Sequence, residues 1–186
     1  MKKYLLVFVS ALIALLLLAS CGAQNKDGNV NTEQGGLSFS SFSAVDFDGN
    51  PVNQSVFAEK KLTMINIWAT FCGPCIREMP DLAKLNTAYG DDFQIIGIPI
   101  DVVDQHLNER SDKMQAARDI IATTNADYPH LVPSGSLFEL HLNEVQAVPE
   151  TIFVDSNGNQ VGDIYLGSKT ENEWATIIEA LLERVQ

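Results

Sequence analysis

The segment "KLTMINIWATFCGPCIREMP", residues 61–80, constrains this chain more than any other. Its opening, residues 61–69, is apolar and rich in strand-forming side chains, which predicts a buried central strand. From Gly73 to Tyr89 the pattern turns helical, with Ile76, Met79, Leu82, Ala83 and Leu85 on one side. Cys72 and Cys75 therefore stand where a strand becomes a helix. A sulfur there faces free backbone N–H groups and the positive end of the helix dipole, which favour the anion. The thiolate is the nucleophile in disulfide exchange. Pro74 falls in the first helical turn, where its missing N–H is no loss. Cys75 lies one turn inside, close enough to attack a mixed disulfide on Cys72. The spacing points to electron transfer, with Cys72 attacking and Cys75 resolving.

Other uses of two cysteines fit less well. Structural zinc needs about four ligands, and there is no second CxxC. His106, His130 and His141 are scattered without zinc-finger spacing and read as surface or partly buried residues. A static disulfide across two intervening residues would constrain the unfolded chain very little. No cofactor is called for beyond a redox-active Cys72–Cys75 disulfide.

The chain has 186 residues, enough for one domain plus a leader, and 46% of them are hydrophobic. Twelve basic residues stand against 24 acidic ones, a net charge of -12. That balance excludes nucleic acid as a partner, because phosphate binding needs clustered Lys and Arg.

Residues 1–20 have the layout of a signal peptide. Lys2 and Lys3 give a positive start, and an apolar run extends from Tyr4 to Ala19, broken only by Ser10. "LAS" followed by Cys21 resembles the bacterial lipoprotein cleavage box. That resemblance implies a diacylglyceryl group on the Cys21 sulfur, a membrane anchor and an extracytoplasmic location. Cys72 and Cys75 are then the only thiols left. Residues 22–36 are small and polar and read as a tether with a reach of about 20 Å. The expected organisation is a signal peptide over 1–20, lipidated cysteine and tether over 21–36, and a folded domain over 37–186.

Within that domain the run 37–57 predicts a hairpin turning at Asp48-Gly49-Asn50-Pro51. A second buried strand spans 93–100. A helix over 108–124 places Met114, Ala117, Ile120, Ile121 and Thr124 on one face. A short helix covers 135–142, and 150–167 forms a hairpin turning at Asn157-Gly158. The last helix, 170–184, carries Trp174, Ile177, Ile178, Leu181 and Leu182. This order predicts an α/β fold, a mixed central sheet sandwiched between helices in three layers.

The same order, with "WATFCGPC" closing the first strand-to-helix turn, resembles the thioredoxin superfamily. More closely it is similar to the membrane-anchored TlpA/ResA-like branch, over residues 37–186. The leading hairpin and a helical insertion over 101–132 belong to that likeness. The resemblance implies a thiol–disulfide oxidoreductase. The Gly-Pro dipeptide is similar to that of reducing thioredoxins, whose potential is about -270 mV, so reduction of partner disulfides is the expected direction. Pro80 matches a helix-kinking proline. Val148-Pro149 matches the cis-proline, which would leave the Val148 N–H and C=O free to pair with a substrate strand; the plain alternative is an ordinary turn proline. Substrate contacts are implied at Trp68, Phe71, Gly73, Pro74, Val148 and Pro149. Glu78 matches a glutamate thought to move protons, against the alternative of a solvated helix carboxylate.

Three positions depart from the thioredoxin pattern. Asn66 replaces a buried Asp and cannot titrate, which makes Glu78 the better proton acceptor. Phe71 replaces Trp. Glu150 follows the proline, as in Pro-Glu-Thr thioredoxins of cytochrome c maturation; it either shapes partner choice by its charge or decorates the surface. The family further implies a membrane electron donor of the CcdA/DsbD type, and clients such as apocytochrome c or methionine sulfoxide reductase. A metal-binding chaperone and a peroxide-reducing enzyme on the same fold are the alternatives. Copper chaperones of related fold use CxxxC, one residue longer, and the peroxiredoxin Pro-x-x-x-Thr-x-x-Cys run is absent.

Overall fold

A computed structural model describes residues 36–185. The signal-peptide reading, Cys21 and nearly all of the tether fall outside these residues. Along the described chain come β1 (Ser43–Asp46), β2 (Pro51–Asn53), β3 (Leu62–Trp68), α1 (Gly73–Ala88), β4 (Phe93–Pro99), α2 (Ser111–Thr124), β5 (Leu131–Val132), α3 (Gly135–Leu140), β6 (Glu150–Asp155), β7 (Tyr165–Leu166) and α4 (Glu171–Leu182). Short 3-10 turns occupy Gln54–Glu59 and Leu142–Glu144.

The central sheet runs β4-β3-β6-β7. β3 pairs parallel with β4 and antiparallel with β6, so the sheet is mixed as expected. Every residue of β3 and β4 is buried, which is why both read as continuous apolar runs. Successive side chains still leave on opposite faces. On one face Met64, Trp68, Ile95 and Phe153 pack with Met79 and Leu82 of α1 and with Trp174 and Ile178 of α4. On the other, Ile65, Ile67, Ile96, Ile98, Ile152 and Val154 pack with Phe39, Phe57, Leu137 and Leu142. Each fully buried side chain of this size contributes roughly 2 kcal/mol.

The sequence reading needs two corrections. First, α2 starts at Ser111, not at 108. Leu107 has φ 63, outside the right-handed helical region, and Arg110 N donates to Val102 O at 2.8 Å to close a turn ahead of the helix. Second, after its helix the insertion holds a short strand that the sequence reading did not place. Asn125 caps α2 with φ 53, and the chain returns extended: Gly97 N donates to Pro129 O, and β5 pairs with β1. β5, β1 and β2 thus form a second, three-stranded sheet. The hairpin at 48–51 forms as expected, with Asp46 Oδ1 accepting from Asp48 N and Asn50 N. A reciprocal capping box between Thr170 and Glu173 starts α4. Among the described residues no helix is long and apolar enough to cross a membrane.

Candidate active site

The parallel end of β3 delivers the chain to the turn Ala69–Cys72. Cys72 N donates to Ala69 O at 3.0 Å. Thr70 is braced from outside: its N and Oγ1 donate to the two carboxylate oxygens of Asp101, at 2.9 and 2.5 Å. Lys113 Nζ stands 3.6 Å from the same carboxylate. This Thr70–Asp101–Lys113 brace had no motif to announce it.

Cys72 is the N-cap of α1, and it is joined to Cys75 by a disulfide with Cα atoms 5.3 Å apart. The Cys72 sulfur accepts the Cys75 backbone N–H at 3.2 Å. Donation to sulfur at a helix N-terminus is the arrangement that holds a thiolate once the disulfide is reduced. Cys72 is 6% exposed and Cys75 is fully buried, so Cys72 is the sulfur a partner can reach. Pro74 sits in the first turn of the helix and Pro80 within it.

The Val148–Pro149 bond is cis, and the Val148 carbonyl oxygen lies 3.5 Å from the Cys72 sulfur. Val145, Gln146, Ala147 and Val148 form one wall of an open groove of about 350 Å³; Phe71 and Ile100 form the other. Phe71 is 71% exposed beside the disulfide. Gly73 and Val148 are half-buried, Pro74 is exposed and Pro149 is buried. Trp68 is placed differently from its expected role at the substrate surface. It is fully buried, edge-on to the His130 ring at 5.7 Å, and shapes the site only from beneath.

Glu78 is no solvated helix carboxylate. It is buried one turn after Cys75, on the sheet-facing side of α1. Asn66 Nδ2 donates to Oε1 at 3.3 Å; Trp174 Nε1 and the Lys169 backbone N donate to Oε2 at 3.2 and 3.1 Å. Burial pushes its pKa up, and these donors oppose the push without cancelling it.

Two histidines also depart from the expected exposure: His130 and His141 are buried, while His106 is exposed. Burial pushes the His130 imidazole down to about 4, with Nε2 bonded to Ala126 O. His141 Nε2 meets Glu150 Oε1 at 2.5 Å, and Glu150 is itself buried, so it does not decorate the surface. A signal for this was available: Glu150 shares strand parity with Ile152 and Val154, both inward. Among the described residues no group of three or more His, Cys, Asp or Glu side chains is placed to hold a metal ion.

A mixed sheet between helices, with a disulfide opening the helix that follows the central strand, makes this a thioredoxin-like protein. The family model described as Redoxin matches residues 34–181, and the chain belongs to that family. It is similar to the thioredoxin-like protein YneN of Bacillus subtilis (strain 168), 28% identical over 62% of this chain and 62% of that protein. It is also similar to the thiol-disulfide oxidoreductase ResA of Halalkalibacterium halodurans, 26% identical over 69% of this chain and 64% of that one. The chain thus spans less than two-thirds of the length of either relative. Among solved structures, the pneumococcal exposed lipoprotein thioredoxin Etrx1 from Streptococcus pneumoniae strain TIGR4 is 25% identical. That match covers 76% of this chain and 99% of the other, with a TM-score of 0.56.

Proposed function

We propose that this chain is an extracytoplasmic, lipid-anchored thiol–disulfide oxidoreductase that reduces disulfides in partner proteins. The observation that carries the reading is the Cys72 sulfur, which caps α1, accepts the Cys75 N–H and lies 3.5 Å from the Val148 carbonyl oxygen, beside the open groove that Phe71 and Val148 line. In the reduced protein the Cys72 thiolate attacks a partner disulfide. One partner sulfur leaves as a thiolate, and the other is held in a mixed disulfide. Cys75 loses its proton, attacks Cys72 and releases the second partner sulfur. The products are the Cys72–Cys75 disulfide and a reduced partner. Glu78, buried and rich in donors, is the group we assign to take the Cys75 proton.

The Val148 backbone and the Phe71 ring receive an extended partner segment, flanked by Gly73, Pro74 and Pro149. No cofactor enters these steps. A membrane thiol transporter of the CcdA/DsbD type restores the dithiol, and apocytochrome c and methionine sulfoxide reductases are the client types. The anchor is a lipid on Cys21, a reading supported by its place after the apolar run and by the similarity to a lipoprotein thioredoxin. Insulin reduction with dithiothreitol as electron source tests the activity. The protein accelerates precipitation of the insulin B chain, and Cys72→Ser abolishes the acceleration. Full activity in Cys72→Ser would refute the assignment. Incorporation of labelled palmitate, lost in Cys21→Ala, tests the anchor.

A further inference from the structure

The groove wall beside Cys72 belongs to the loop 142–149. Its middle, Gln146 to Val148, makes no backbone–backbone hydrogen bond among the described residues, and the Val148 carbonyl oxygen lies instead 3.5 Å from the Cys72 sulfur. A wall that must offer free backbone groups cannot be held by them. It is held at its ends. His141, at the C-terminus of α3, and Glu150, at the start of β6, flank the loop on either side. Their side chains meet at 2.5 Å, and each residue is 5% exposed. Glu150 is fixed in the sheet between Ile67 and Leu166. The His141 N–H is bonded to Leu137 O, and Glu144 Oε2 stands 3.9 Å from His141 Nδ1 on the solvent side.

We infer that His141 and Glu150 form a latch that closes this loop at its base and holds the Val145–Val148 wall ready for an extended partner backbone. His141 is then a positioning residue for peptide and protein disulfides. The inference rests on reading Cys72 as the attacking sulfur. Ordering a loose loop costs free energy at the moment of binding, and a latch removes that cost beforehand. Opening it therefore weakens capture of an extended peptide and leaves the sulfur chemistry alone. A small aromatic disulfide, which needs no wall, is unaffected.

The full chain is compared with three variants. His141→Ala removes the latch. His141→Gln keeps an N–H donor toward Glu150. His141→Phe with Glu150→Leu removes the bond without stranding a buried polar partner, and serves if His141→Ala does not fold. The substrates are an extended peptide disulfide and 5,5'-dithiobis(2-nitrobenzoate). His141→Ala and the apolar pair raise KM for the peptide by about tenfold. Their kcat and their rate with the small disulfide stay within about twofold of the parent. His141→Gln recovers most of the KM. Amide hydrogen exchange at Gln146–Val148 quickens in the latchless variants while β3 and α1 stay protected. An unchanged peptide KM in a folded latchless variant overturns the latch. So does equal slowing with both disulfides. If the parent reduces neither disulfide, the functional reading fails, and exchange alone decides: equal rates in parent and variant overturn the latch.

Discussion

Glu78 and Glu150 are buried to 3% and 5% exposure on opposite faces of one sheet. Thr151 turns toward Asn66 and the Glu78 side; Glu150, one residue earlier, turns the other way. Their surroundings differ in kind. Glu78 is met by neutral donors, the Asn66 amide, the Trp174 indole and the Lys169 backbone, and burial wins over them to raise its pKa. Glu150 is met by one imidazole at 2.5 Å. A carboxyl among neutral donors keeps its place whether or not it holds a proton, so it can pass one on. A carboxyl bound to an imidazole joins two elements of the chain. Burial is nearly the same in both; the partner sets the role.

Breaking the joint has the largest expected effect. Glu150→Ala leaves His141 buried without its acceptor and lowers stability by about 3 kcal/mol, read from the denaturant midpoint. The apolar pair His141→Phe with Glu150→Leu recovers most of that loss, because both polar partners leave together. Recovery of stability without recovery of peptide KM would separate the latch from mere packing.

A lone buried imidazole sharpens the contrast. The folded pKa of His130, about 4, lies below its unfolded value of 6.5, so the native state binds fewer protons. Stability is therefore fully present above pH 6.5 and falls as pH drops toward 4, by roughly 3 kcal/mol. His130→Gln flattens acid unfolding in that window. An unchanged acid limb would contradict the assignment.

On the other face, Glu78→Gln keeps the shape and an oxygen that can accept from Trp174 Nε1 and Lys169 N, but its amide cannot take a proton. It slows resolution of a mixed disulfide by about a hundredfold and flattens its pH dependence. Stopped-flow profiles that superimpose on the parent's would leave Glu78 without a proton role. The smallest effect is on its stability. The folded pKa of Glu78 is raised, so its contribution is fully present below the unfolded value of 4.5 and is lost as pH rises through the folded pKa. The denaturant midpoint of Glu78→Gln thus exceeds the parent's at neutral pH and matches it near pH 4. This is the opposite sign to His130.

The elements that could be read from the sequence were those whose signal is local. β3 and β4 are buried on both faces and spell continuous apolar runs; α1 shows its 3.6-residue stripe; the turns at Asp48-Gly49 and Asn157-Gly158 carry their own chemistry. The redox pair could be read from its spacing where a strand becomes a helix, whereas the cis bond at Pro149 came through family likeness. What escaped depends on distant partners. β5 is two residues long and exists because β1 lies beside it. Glu150 and His141 look like surface residues until α3 and β6 bring them together. Asp101 and Lys113 reach Thr70 from an insertion with no motif. Trp68 sits in the motif, yet its strand parity turns it inward against His130.

The most direct test asks which sulfur attacks. The fully reduced chain is exposed briefly to substoichiometric iodoacetamide at neutral pH, and the adduct is mapped by peptide mass spectrometry. Cys72, at the helix N-cap and the more exposed of the two, carries nearly all of the label. Predominant labelling of Cys75 would contradict the assignment of Cys72 as nucleophile and, with it, the direction of every step proposed at this site.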